Sequence, residues 1–185
     1  QDTILKILNY SKANNYNINC IGLPKTIDND LPITDNCPGF GSVAKYIAIS
    51  TYEASLDVAS MANSSTKVFI LEVMGRHAGW LAASAGVIKN EDNAPPHIIL
   101  LPEVIFNQKK FLIKVKSTVE KYGYCVIVAS EGIKGSKDNF IAASDSKDSF
   151  GHAHLGGVAP KLADMITSKL KHKVLWAVSD YLQRA

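Results

Sequence analysis

Two stretches of this sequence group residues that could move a phosphoryl group. The first is Pro24-Lys25-Thr26-Ile27-Asp28-Asn29-Asp30-Leu31, which holds two carboxylates, a hydroxyl and a lysine. A carboxylate beside a bound alcohol can take its proton as the alcohol attacks phosphorus. A second carboxylate can orient the first or position magnesium, and a lysine can neutralise charge on the group in flight. The same composition also describes an Asp/Asn-rich turn bonded to its own backbone. The second stretch is Met74-Gly75-Arg76-His77-Ala78-Gly79-Trp80. Its glycines let a ligand approach the backbone, and Arg76 presents a planar fork of donors suited to phosphate. The alternative there is a plain strand-to-helix turn, with Arg76 on the surface and His77 satisfying a backbone group. A third point, Leu101-Pro102-Glu103, puts a carboxylate at a strand end. It could accept sugar hydroxyls, or serve only as a charge near a helix start.

The elements that must position these residues follow from periodicity. Residues 4–14 read as a helix, 18–23 as a short buried strand, and 24–39 as a polar loop. Val43, Ala44, Ile47 and Ala48 repeat at helical spacing from Phe40 to about Ala62. Strands are expected at 68–73, 97–101, 124–129 and 174–178. Helices are expected at 80–88 and 108–122, and from Leu155 through Ile166. Residues 132–150 read as a Gly/Ser/Asp-rich loop. Strands alternating with helices, with continuous apolar strand runs, predict parallel β-sheets covered by helices on both faces, a three-layer α/β/α fold. In such sheets ligands sit at the carboxyl ends of strands, where all three polar stretches fall.

Composition narrows the function. The chain has 185 residues, 46% hydrophobic and 20% charged, with a formal charge of +3. That is ordinary globular make-up. The lysines are scattered or paired, as in Lys109-Lys110, which gives no basic groove for nucleic acid. No apolar run is long enough to span a bilayer. Cys20, Cys37 and Cys125 are odd in number and lack a Cys-x-x-Cys spacing, so they read as reduced thiols of a cytoplasmic protein. Gln1 at the start and Arg184-Ala185 directly after a strand-like run predict a piece of a longer chain.

Taken together, Pro24–Leu31, Met74–Trp80, Leu101–Glu103 and Tyr181-Leu182-Gln183-Arg184 resemble the phosphofructokinase family in order and spacing, over the whole chain. The resemblance implies a transferase of glycolysis that phosphorylates the 1-hydroxyl of fructose 6-phosphate with Mg2+. Asp28 corresponds to the base, Asp30 to its partner near the metal, and Thr26 to a hydroxyl on the phosphoryl group. Met74, Gly75 and Arg76 correspond to sugar and transition-state contacts, and Glu103 to a ligand of sugar hydroxyls. Tyr181 and Arg184 correspond to the 6-phosphate clamp. Lys67 falls where the family often supplies a cation to a neighbouring subunit, which implies a homo-oligomer.

The resemblance further implies that residues 1–39 are the tail of the donor-phosphate domain and 40–185 an incomplete fructose 6-phosphate domain. The metal-holding Gly-Gly-Asp loop is expected upstream of Gln1. Lys25, and Phe150-Gly151-His152 with Leu155-Gly156-Gly157, resemble the pyrophosphate-dependent branch. ATP as donor, or a non-catalytic sugar-phosphate-binding fragment, are the alternatives. Leu175 stands where the family tends to have arginine, and Asp180 where glycine is usual.

Overall fold

The computed structural model describes residues 2–135, 139–142 and 157–185. Phe150 to Gly156, used above for the donor, lie outside the described residues.

Among the described residues, four parallel strands form the centre of the fold. They are β1 (Val68–Val73), β2 (Ile98–Leu100), β3 (Cys125–Ser130) and β4 (Val174–Val178), in the order β2-β3-β1-β4. Val68 pairs with Cys125 on one side and with Val174 on the other, and Ile98 pairs with Ile127. β1 and β3 are the inner strands, which explains why neither alternates with polar residues.

The helices are α1 (Asp2–Ala13), α2 (Phe40–Met61), α3 (Trp80–Ser84), α4 (Gln108–Tyr122) and α5 (Val158–Leu170). One face of the sheet packs Val68, Ile70 and Ile127 against Phe111, Val115 and Val119 of α4 and Leu162 and Ile166 of α5. The other face packs Leu71, Val73 and Val128 against Val43 and Ile47 of α2 and Leu81 of α3. The three-layer α/β/α architecture expected from the sequence is the one observed. The start of α4 is fixed by Asn107, whose Oδ1 accepts the Lys110 N–H at 3.0 Å.

Three expectations need correction. Residues 18–23 form no strand. Ile21 and Leu23 are 86% and 87% exposed, and no described strand runs beside them to pair their backbone, so an apolar run alone did not make a strand. The helix expected over 80–88 is α-helical only to Ser84. Ala85–Ile88 continue as a tighter 3-10 turn, where Gly86 and β-branched Val87 and Ile88 weaken the α form. β4 is not covered on both faces. It is an edge strand, and Leu175, Trp176 and Val178 remain 40–48% exposed.

Candidate active site

The loop after residue 24 is shaped by its own polar side chains. The Asp28 N–H donates to Thr26 Oγ1 at 3.1 Å. Asn29 is buried and left-handed, with φ 57°. Its Oδ1 accepts the Cys37 N–H at 2.8 Å, and its Nδ2 donates to the Asp35 carbonyl at 3.3 Å. Asn29 thus turns into the protein, and Asp28 and Asp30 on either side of it face a cavity of about 450 Å³. Lys25 and Thr26 line the same cavity.

The opposite wall comes from the carboxyl ends of the strands. After β1 the chain turns sharply at Gly75, where φ is 124°. A Cβ there would lie 2.5 Å from the Ala78 carbonyl oxygen, so only glycine fits. The Ser130 hydroxyl donates to the Gly75 carbonyl and accepts the Gly132 N–H at 3.1 Å. Gly132 lies flush against the same peptide: a Cβ on it would be 2.0 Å from the Arg76 carbonyl oxygen. Met74 and Arg76 are thereby held at the cavity, with His77 beside them. After β3, the Glu131 N–H donates to the Val73 carbonyl at 2.9 Å, which carries the ladder one residue further and puts the Glu131 carboxyl on the cavity wall. After β4, a 3-10 turn over Asp180–Arg184 brings in Arg184.

This arrangement gathers two carboxyl groups of unusual basicity among three cations. Burial raises the pKa of Asp28 above its ordinary value. Neighbouring Asp30 raises it further, and Arg76, Arg184 and Lys25 act in the opposite sense. Burial also raises Glu131. Asp28 adds to that rise, and the Gly75 backbone amide and Arg76 oppose it. A carboxylate lifted toward neutrality is a better proton acceptor. The cations leave the cavity suited to an anionic, phosphorylated ligand. A second cavity of about 300 Å³ at the β2 edge is lined mainly by apolar residues such as Ile99, Phe106 and Phe111, with Lys110 and Lys114. It carries no carboxylate and has no equipment for proton transfer.

The chemistry-bearing residues singled out in the sequence fall into two groups. Lys25, Thr26, Asp28, Asp30, Met74, Arg76 and Arg184 line one cavity, with Gly75 forming its turn. Glu103, Tyr181 and Lys67 do not line it. The Glu103 Oε1 accepts the Gly79 N–H at 2.7 Å and braces the loop from outside the cavity. Tyr181 is exposed, with the Arg184 guanidinium 5.7 Å from its ring centre. Lys67 lies at the amino end of β1, the end of the sheet away from the cavity. Its Nζ donates to the Ala62 carbonyl at 2.7 Å, just past the end of α2. Leu175 pairs with Phe69 on the edge strand, and it too is outside the cavity. Asp180 has φ 35°, a region that glycine enters more easily than aspartate.

Glu131 was missed in the sequence, although a signal existed. It follows the apolar run 125–129 after a single serine, and the strand-end argument applied to Glu103 applies to it equally. Asn29, Ser130 and Gln183 gave no such signal, because their partners are defined only by the fold.

The phosphofructokinase family profile matches residues 2–185. The chain belongs to the phosphofructokinase family. It is 58% identical over 185 residues to a Pyrophosphate--fructose 6-phosphate 1-phosphotransferase of Xanthomonas campestris, covering all of this chain and 44% of that protein. It is 37% identical over 169 residues to an ATP-dependent 6-phosphofructokinase 2 of Clostridium perfringens, covering 90% of this chain and 44% of that protein. The crystal structure of a pyrophosphate-dependent phosphofructokinase from Marinobacter aquaeolei superposes with a TM-score of 0.82 at 55% identity, over all of this chain and 42% of that one. The chain therefore spans a little under half the length of these phosphofructokinases. Among its described residues no helix is long and apolar enough to cross a membrane.

Proposed function

We propose that the protein containing this chain transfers a phosphoryl group from pyrophosphate to the 1-hydroxyl of fructose 6-phosphate. The observation that carries the reading is Asp28. It is a carboxyl raised in pKa by burial, set in one cavity with Lys25, Arg76 and Arg184.

Asp28 takes the proton of the sugar 1-hydroxyl as that oxygen bonds to a phosphorus of pyrophosphate. The bridging P–O bond breaks, and inorganic phosphate leaves with the bond's electron pair. Lys25 and Arg76 offset the charge of the phosphoryl group in flight, and Thr26 offers it a hydroxyl. Arg184 holds the sugar phosphate, Glu103 accepts sugar hydroxyls as the motif implies, and Glu131 offers a further carboxylate on the cavity wall. A magnesium ion, where bound, would supply charge neutralisation to the donor phosphates. Such an ion needs only one or two protein carboxylates beside the phosphates, and Asp30 is exposed next to Asp28 and fits that use. Residues 1–39 then belong to the donor domain and 40–185 to the sugar domain of a cytoplasmic homo-oligomer, in which Lys67 reaches a neighbour.

The higher identity to a protein named for pyrophosphate than to one named for ATP favours pyrophosphate, as does Lys25, whose compact ammonium suits a small, highly charged donor. The test is to assay the whole protein with fructose 6-phosphate, magnesium and either donor. Fructose 1,6-bisphosphate is expected with pyrophosphate and not with ATP. Product from ATP alone overturns the donor, and product from neither favours a binding role.

A further inference from the structure

β1 and β4 pair in parallel, and the Glu72 carbonyl accepts the Ser179 N–H at 3.1 Å. On the other side the Val73 carbonyl accepts from Glu131. By the alternation of a parallel strand, the next β1 group aimed at β4 is the Met74 N–H. Its natural partner would be the Ser179 carbonyl, but the chain has turned into its 3-10 segment and that carbonyl accepts the Leu182 N–H at 2.9 Å. Gln183 fills the gap. Its side chain is 3% exposed, and its Oε1 accepts the Met74 N–H at 3.1 Å, across 109 residues of sequence. The bond joins two segments that each supply the cavity: Met74 opens the turn that carries Arg76, and Gln183 directly precedes Arg184.

We propose that Gln183 is a positioning residue that sets Arg184 against the Met74–Arg76 turn, an inference that rests on the sugar-phosphate reading of this cavity. Gln183 touches neither substrate. It closes the ladder where β4 ends, and so fixes the spacing between Arg184, which holds the sugar phosphate, and the turn that carries Met74 and Arg76. Losing the acceptor leaves a half-buried N–H unpaired and frees the 3-10 segment to drift.

The test uses the whole protein with Gln183→Leu and Gln183→Glu. Gln183→Leu keeps the bulk and removes the acceptor. It is expected to raise KM for fructose 6-phosphate about tenfold and to leave KM for pyrophosphate within about twofold. It should also speed amide hydrogen exchange at Met74 by about tenfold. Gln183→Glu keeps an oxygen at the same reach. Burial beside Glu72, Glu131 and Asp180 favours its neutral form, whose carbonyl still accepts, so it should restore most of the sugar-phosphate KM. Where Gln183→Leu fails to fold, Gln183→Asn is one methylene short of Met74 and carries the same expectation. Equal rises in both KM values, or unchanged exchange at Met74, overturn the proposal. A parent protein that turns over no fructose 6-phosphate fails the functional reading instead, and Met74 exchange still decides whether the tie exists.

Discussion

Residues 25–30 and the residues at the strand ends face one cavity, but they are held by different means. The loop is kept in shape by short-range bonds, through the Thr26 hydroxyl and the Asn29 amide, and the segment before it leaves Ile21 and Leu23 exposed. The strand-end wall is held by the sheet. Glu131 extends the β3–β1 ladder, and Ser130 and Gly132 clamp the Gly75–Arg76 peptide from behind. The division fits the proposed chemistry. A base and a donor contact can sit on a loop shaped to a few residues. A sugar phosphate gripped at several points needs walls of fixed spacing, which a packed parallel sheet supplies.

Breaking the rigid wall should cost more than removing a single donor contact from the loop. Gly132→Ala puts a methyl where 2.0 Å separates its site from the Arg76 carbonyl oxygen, so Arg76 must move by an ångström or so. Displacement on that scale can cost about a hundredfold. We expect kcat/KM to fall by about that factor, with a lowered Tm. Kinetics close to the parent's would mean that Arg76 does not need its wall.

On the loop side, the expected effect is smaller and confined to one substrate. Lys25→Gly removes one exposed charge from the cavity and should raise KM for pyrophosphate by about tenfold while leaving KM for fructose 6-phosphate nearly unchanged. A matching rise for the sugar phosphate would blur the division between the two walls.

The smallest effect is on stability against pH. Glu131 has its folded pKa raised, mainly by burial, above the ordinary 4.5. Its ionised form is therefore disfavoured in the folded state. The stability it gives is complete below 4.5 and is lost as pH rises through the higher folded value. Glu131→Gln does not titrate, so its stability relative to the parent should improve as pH rises from about 4 to about 7. Urea midpoints of both proteins across that range check the sign, and a gap that closes in the other direction contradicts the buried carboxyl.

Much of the scaffold could be read from periodicity. Residues 68–73 and 174–178 are the strands expected, and Gln108–Tyr122 is the helix expected, because their apolar patterns are set by the faces they bury. Residues 18–23 are also mostly apolar and fail as a strand, since a strand exists through its partners and none lies beside them among the described residues. The site divides in the same way. Asp28 and Arg76 could be picked out from residue type and motif, and the structure puts both on one cavity. Gln183 could not, because its bond to Met74 forms across the end of a ladder. Glu103 lies between the two: its place at a strand end could be read from the sequence, but its bond to the Gly79 N–H could not.

The most direct test of the account separates chemistry from grip. Turnover and fructose 6-phosphate affinity should be measured on the whole protein with Asp28→Ser. Removing a general base costs about 10² to 10⁴ in rate, while the strand-end wall is untouched. The expected result is a kcat lowered at least about a hundredfold with the sugar-phosphate Kd within about threefold of the parent's. Near-normal turnover, or a binding loss as large as the loss of rate, would contradict the assignment of the base to the loop and of the grip to the sheet.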